Sequence, residues 1–410
     1  MVSTSLGGIQ MSEFLQRRAR LQHVLRDNGV HGYLLTQNID LFYFTGSMQN
    51  GYAFIPAYGD AIFYVKRSVS RAREEADCRV EALGPFRAFA DQLFDDFTGL
   101  KEQDALRIAT EFDVLPVQIY LRLQSLFQDV TFVDGSLWVR EIRMLKSAYE
   151  VKCIRQAATF IDEAFHQSLQ QLNIGMSEIE YMASIENHVR EKGHLGVMRM
   201  RSYNQEVITG MVAAGEDAAV PTYFDGPAGG RGLHPAAPQG PSRRPIQANE
   251  PILVDIGCCI EGYVIDQTRT VCIGELHPEL MRAYDWSEKI LRETERMLVP
   301  GTICEDIYEQ ALKIAAEAEL EAHFMGYGTD QVKFLGHGIG LEIDEFPVLA
   351  KGFKYPLQQG MVIAIEPKFT FPGVGVVGIE DTYLITESGF ERLTVTDQHL
   401  FKVDKAKKEA

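Results

Sequence analysis

The sequence predicts two domains, an α/β layer domain over residues 11–141 and a larger domain of paired helices and strand hairpins over 145–404. Three observations carry this expectation. The chain has 410 residues, and a single hydrophobic core rarely extends past about 250–300. The first third alternates short apolar runs with helical stretches, the pattern of an α/β layer. The remainder runs helix pair, strands, helix pair, strands, which reads as two similar halves and hints at internal duplication.

In the first segment, Phe14, Ala19, Leu21 and Leu25 predict an amphipathic helix closed by Gly29. The runs GYLLT, LFYFTG, YAFIP, AIFYV, LRIAT and VTFVD predict strands, and Val69–Asp77 and Pro85–Phe97 predict helices between them. The second segment opens on the capping box Ser147–Glu150, which heads a helix to about Leu172, and a second box, Ser177–Glu180, heads a helix ending at Gly193. A helix headed by Pro278 and another capped by Thr302–Glu305 follow the central strands. Met1–Gln10 reads as unstructured, with Met11 as an alternative start, and the tail KVDKAKKEA reads as frayed.

Composition narrows the function. Apolar residues make up 46% and charged residues 24% of the chain, which excludes wholesale disorder, a coiled coil and a collagen-like repeat. A surplus of 57 acidic over 40 basic residues leaves a net charge of −17, which argues against nucleic acid and anionic membranes as partners. Six cysteines without a CxxC suggest reduced thiols. With no signal-peptide pattern at the start and no run of about 18 apolar residues, the expected location is cytoplasmic.

The chemistry gathers in four carboxylates. In PILVDIGCCIEGYVIDQTRTVCIG, a two-residue turn midway between Asp255 and Asp266 sets them directly opposite each other in a hairpin. Opposed Cβ atoms lie about 4.5–5.5 Å apart, where like charges destabilise unless a cation neutralises them. Glu366 and Glu380 repeat the arrangement about Gly373, in apolar strands where a lone carboxylate is costly to bury. His337, between Gly336 and Gly338 in FLGHGIGL, adds an imidazole. One imidazole with four carboxylates suits two divalent ions of Mn, Co, Fe or Zn better than Mg, and such a pair can hold a bridging hydroxide and polarise a carbonyl. Cys258 and Cys259 read as small packed strand residues. Just upstream, residues 220–250 hold six prolines and five glycines. A loop of this length beside a chemical motif is expected to wall the substrate pocket.

At these residues the sequence resembles the pita-bread metallopeptidases: prolidase, Xaa-Pro aminopeptidase and methionine aminopeptidase, with creatinase as a metal-free relative. The resemblance runs through VDIG at Asp255, GYVIDQTRT at Asp266, GHGIGLEIDEFP at His337, IEP at Glu366 and GIED at Glu380. HGYLLTQNIDLFYFTG is similar to the creatinase-type N-terminal domain. The resemblance implies a creatinase-type α/β domain followed by an α+β pita-bread domain. It implies that Asp255 chelates one metal, that Asp266 and Glu380 bridge both, and that His337 and Glu366 bind the other. It further implies a metal-bound hydroxide attacking the amide before proline, Glu366 as acid/base, and a homodimer.

Three departures bear on the substrate. Where prolidases continue to His-Glu-x-Pro, this chain has Asp344-Glu345-Phe346-Pro347, and an ionised aspartate can accept a hydrogen bond but not donate one. Gly378 stands where the family often has an arginine fork for a substrate carboxylate. The histidine expected shortly before the first metal strand is missing; His234 lies further upstream as a candidate proton shuttle, and Arg231, Arg243 and Arg244 share its loop. The expected activity is therefore hydrolysis of a small peptide, Xaa-Pro by an aminopeptidase or dipeptidase, with Asp344 and Arg231 as substrate contacts. The alternatives are a dinuclear hydrolase or lyase for a non-peptide metabolite, and a non-catalytic binding protein on the same fold.

Overall fold

The computed structural model describes residues 11–404. They divide into two compact units after Arg143.

The first unit comprises α1 (Met11–Asp27), β1 (Gly32–Leu35), α2 (Asn38–Thr45), β2 (Gly51–Pro56), β3 (Ile62–Val65), α3 (Val69–Glu75), β4 (Arg79–Ala82), α4 (Phe89–Asp96), β5 (Leu106–Thr110), α5 (Val117–Leu126), β6 (Val130–Asp134) and α6 (Ser136–Met144). Its six strands form one mixed sheet in the order β4-β3-β2-β1-β5-β6. One core cluster packs Leu34, Phe54, Phe89, Leu93, Ile108 and Phe127. Two expectations change. LFYFTG is helical: Gln37 Oε1 accepts from Ile39 N and Asp40 N, and Gly46 closes the helix in a left-handed conformation. A short run buried on all sides carries no period to separate helix from strand. In α1, Phe14, Leu21 and Leu25 are buried as expected, but Ala19 is exposed. Arg17 and Arg18 take the inner face instead, donating to Tyr43 O at 3.1 Å and Phe44 O at 2.8 Å.

The second unit comprises α7 (Ala148–Gln171), α8 (Glu178–Glu191), β7 (Gly210–Ala214), β8 (Ile252–Ile260), β9 (Tyr263–Ile273), α9 (Pro278–Glu295), α10 (Cys304–Glu317), β10 (Phe334–Gly338), β11 (Glu345–Ala350), β12 (Val362–Ile365), β13 (Lys368–Phe371), β14 (Gly375–Gly378), β15 (Asp381–Ile385), β16 (Phe390–Arg392) and β17 (Phe401–Val403). The sheets run β17-β9-β8-β7 and β11-β10-β12-β15-β16, with β13-β14 as a separate ribbon. Both serine capping boxes form, at Ser147 with Glu150 and at Ser177 with Glu180. The box at Thr302 does not: Ile303 is the N-cap of α10 and makes no side-chain cap bond, because Glu305 Oε1 accepts from Gly352 N at 2.7 Å instead. The tail is ordered through β17, where Phe401–Val403 pair in parallel with β9; the expectations for Met1–Gln10 and for residues 405–410 lie outside the described residues. All six cysteines are free. Among the described residues no helix is long and apolar enough to cross a membrane.

Candidate metal centre

The two hairpins meet at one point. Thr268 of β9 and Glu380 exchange backbone hydrogen bonds, Glu380 N to Thr268 O at 3.1 Å and Thr268 N to Glu380 O at 3.4 Å. This bridge brings the β8-β9 hairpin against the chain between β14 and β15. Asp255, Asp266, Glu366 and Glu380 thereby converge with His337, in two groups of ligand atoms within 4.8 Å of one another: Asp266, His337 and Glu380, and Asp255, Glu366 and Glu380.

The registers separate the two pairings. Ile365↔Asp381 and Lys368↔Gly378 flank Glu366 and Glu380 symmetrically about Gly373, so these glutamates face each other as the spacing predicts. The aspartates do not. Ile260 pairs with Tyr263, placing the turn at Glu261-Gly262, and Asp255 stands opposite Thr268 while Asp266 stands opposite Gly257. Both turn residues have positive φ, 53° and 92°, the backbone of a type I′ turn, which favours glycine at its second position. The shift of one residue makes the aspartates diagonal neighbours on one face.

His337 sits where backbones crowd. A Cβ at Gly336 would lie 2.1 Å from Ala364 O, and one at Gly338 would lie 2.1 Å from Phe346 O. The His337 Nδ1–H donates to Gly338 O at 3.1 Å. A carbonyl can only accept, so in the neutral imidazole it is Nε2 that keeps a lone pair for a ligand. Asp344 Oδ1 lies 3.2 Å from the same Nδ1. Burial lowers the His337 pKa, but Asp344, Glu366 and Glu380 together raise it above its ordinary value.

A residue that sequence reasoning missed lies at the centre. Lys368 Nζ donates to Glu366 Oε2 at 2.6 Å, Asp255 Oδ2 at 2.9 Å and Glu380 Oε2 at 3.1 Å. The signal was available: a lysine two residues after Glu366, in an otherwise apolar strand, shares its face. Burial pushes the carboxyls of Asp255 and Glu366 up against the pull of Lys368, Glu366 to about 8. Burial and the charges of Glu380 and Asp255 hold Asp266 well above the usual carboxylate range. Burial also works against ionisation of Glu380, but Lys368, His337 and the Thr268 hydroxyl outweigh it and lower its pKa. The Thr268 Oγ1–H donates to Glu380 Oε2 at 2.7 Å, whereas Glu380 Oε1 is buried without a hydrogen-bond partner. Two carboxylates, one of them with an orphaned oxygen, and an imidazole nitrogen make the Asp266, His337 and Glu380 group fit a divalent cation.

A pocket opens above the cluster. Met198, Met211, Phe224, Pro227, Phe334 and Ile343 line it, with Asp225 and Asp344 among its polar groups. Residues Phe224–Gly229, Gln239 and Gly240 come from the proline- and glycine-rich loop, which therefore walls the pocket as expected. Glu178 holds the loop base, accepting from Ala214 N and Ser242 N at 2.7 Å each. The other two loop candidates stand apart from the pocket lining. Arg231 is 56% exposed at its side chain and pairs with buried Asp217 at 2.8 Å; Ser242 Oγ donates to the other oxygen of Asp217, so Arg231 staples the loop. His234 is exposed, and its Nδ1 accepts from Ala236 N at 3.1 Å within its own turn.

The comparisons with known proteins agree with this geometry. The model of metallopeptidase family M24 matches residues 152–387, and that of the creatinase/prolidase N-terminal domain matches residues 17–145. The chain belongs to metallopeptidase family M24. Membership implies divalent metal ions and a peptidase on the pita-bread fold. An Xaa-Pro dipeptidase of Lactobacillus delbrueckii subsp. lactis is 29% identical over 393 residues, spanning 93% of this chain and 97% of the relative. Among solved structures, an Xaa-Pro dipeptidase from Bacillus anthracis superposes with a TM-score of 0.80 at 25% identity, covering 95% of this chain and 99% of its own. An X-Pro aminopeptidase from Thermotoga maritima gives 0.77 at 25% identity, covering 94% and 99%.

Proposed function

We propose that this M24 chain hydrolyses the amide bond before proline in short peptides, and that it favours peptides extended beyond the proline over free Xaa-Pro dipeptides. The observation that carries the reading is the convergence of Asp255, Asp266, His337, Glu366 and Glu380 beneath an apolar pocket. The relatives named Xaa-Pro dipeptidase and X-Pro aminopeptidase support the bond class. A divalent ion of the Mn, Co, Fe or Zn type, held among these residues, supplies Lewis-acid polarisation of a carbonyl oxygen.

The chain's own residues do the rest. Phe224, Pro227, Met198 and Met211 offer an apolar wall to a proline ring and exclude water. Glu366 holds and returns the proton at Oε1, since Lys368 occupies Oε2. Asp225 and Asp344 line the pocket, and burial together with the charge of Asp344 raises the pKa of Asp225. Two carboxylates that strain each other suit a substrate ammonium, and among the described pocket-lining residues none is Lys or Arg to clamp a terminal carboxylate. The cytoplasmic location and the homodimer belong to the same proposal.

The test is a metal-reconstituted screen over Xaa-Pro dipeptides, Xaa-Pro-Yaa tripeptides and small amides, with product identification. Tripeptides are expected to turn over faster than dipeptides, and Asp266→Ala and Glu366→Ala to lose activity by at least about a hundredfold. Full activity in both variants overturns the reading.

A further inference from the structure

We propose that the Lys368 ammonium is the resident cation of the Asp255, Glu366 and Glu380 group, so that the chain takes one divalent ion, at Asp266, His337 and Glu380, where the resemblance implies two. The inference rests on the metallopeptidase reading only for that second position. An ammonium has three donors, and here all three are spent, one on each carboxylate of the first group, at 2.6, 2.9 and 3.1 Å. The side chain has no exposed surface. A divalent ion at about 2.1 Å from the same oxygens would stand within about 5 Å of Nζ, with like charge in a buried, weakly screening site.

The fold is built around this lysine. Gly378 is its cross-strand partner, and a Cβ at that position would fall 2.6 Å from Lys368 Cγ and 2.8 Å from Lys368 Cα. The missing arginine at 378 and the lysine at 368 are therefore one feature: the glycine leaves the room through which the lysine stem reaches the carboxylates. The second group is different. Glu380 divides its oxygens, Oε2 to Lys368 and Thr268 and Oε1 to no hydrogen-bond partner, and Lys368, although its charge reaches Asp266, spends its three donors on the other carboxylates and gives Asp266 none. Mn(II) at this group completes a set that the protein leaves open.

The decisive measurement is stoichiometry. The full-length chain is stripped with chelator, titrated with Mn(II) by calorimetry, and counted by elemental analysis and native mass spectrometry. One tightly bound ion per chain is expected; two, or none, overturns the proposal. In Lys368→Gly, which vacates the first group, the count is expected to rise from one to two. If that variant fails to fold, the wild-type count still decides. Xaa-Pro peptide turnover, read on the same preparation, separates this inference from the functional one. One ion without turnover leaves the cation assignment standing and sinks the substrate, whereas turnover with two ions does the reverse.

Discussion

Replacing Arg269 with methionine is expected to remove about 4 kcal/mol or more from the stability of the unit containing residues 144–404. The guanidinium is fully buried. Its Nε donates to Asp397 O at 2.8 Å, and NH1 donates to Thr268 O at 2.8 Å and Glu380 O at 2.7 Å. NH2 donates to Asp381 Oδ1 and Thr396 O, both at 2.7 Å. These contacts match the five donors an arginine possesses. Methionine fills much of the volume and donates nothing. Breaking a buried ion pair from one side costs about 3–5 kcal/mol, and each buried carbonyl left unpaired costs about 1–3 kcal/mol more. The losses share partners and do not add in full, so about 4 kcal/mol is a floor. Against a domain stability of about 5–15 kcal/mol, the variant is marginal. Trp138 lies in the first unit and Trp286 in the second, so urea unfolding followed by fluorescence in a Trp138→Phe background reads the second unit alone. Adding Asp381→Leu removes the stranded charge and is expected to recover part of the loss. An Arg269→Met midpoint within about 1 kcal/mol of the parent would refute the reasoning, which treats this side chain as the clamp between the Asp266 strand and the Glu380 strand.

Two smaller perturbations follow from local geometry and burial. Ser147→Ala should cost about 1 kcal/mol by urea midpoint, because it breaks the reciprocal bonds of the capping box; Thr302→Ala should cost close to nothing, since no such box forms there, and equal losses at both sites would contradict the contrast. His194 accepts from Cys259 N at 2.9 Å and is buried, and burial together with the Arg190 charge depresses its pKa below the ordinary 6.5. A depressed folded-state pKa means the unfolded chain binds the proton first, so the stability tied to neutral His194 is present above about pH 6.5 and is lost as pH falls through the folded value. Urea midpoints measured from pH 7.5 down to pH 5 should fall more steeply in the parent than in His194→Asn, and parallel profiles would count against it.

Much of the fold was legible because it is written locally. Ser147 and Ser177 announce their helices through a glutamate three residues on, and both boxes form. The symmetry of Glu366 and Glu380 about Gly373 follows from strand period and turn length, and the register agrees. The asymmetric case failed for an equally local reason. Glu261-Gly262 is the better turn than Ile260-Glu261, because the left-handed backbone there favours glycine, and one residue of slip turned opposed aspartates into diagonal ones. LFYFTG was opaque because a segment buried all round shows no period.

The sequence by itself determined the class of chemistry. Five ligand-competent side chains at hairpin spacing, in strands too apolar to bury them singly, already called for cations, and family M24 is where such a pattern belongs. The partners of each charge were decided only in three dimensions. Arg231 and His234 belong to the right loop, yet one staples it to Asp217 and the other caps its own turn, because loop side chains satisfy their nearest polar neighbours first. Lys368 is the counterpart. Nothing in its spacing says that a glycine on the facing strand opens a path to three carboxylates, and in a buried cluster it is that distance of about 3 Å, not sequence separation, that sets which charges neutralise one another.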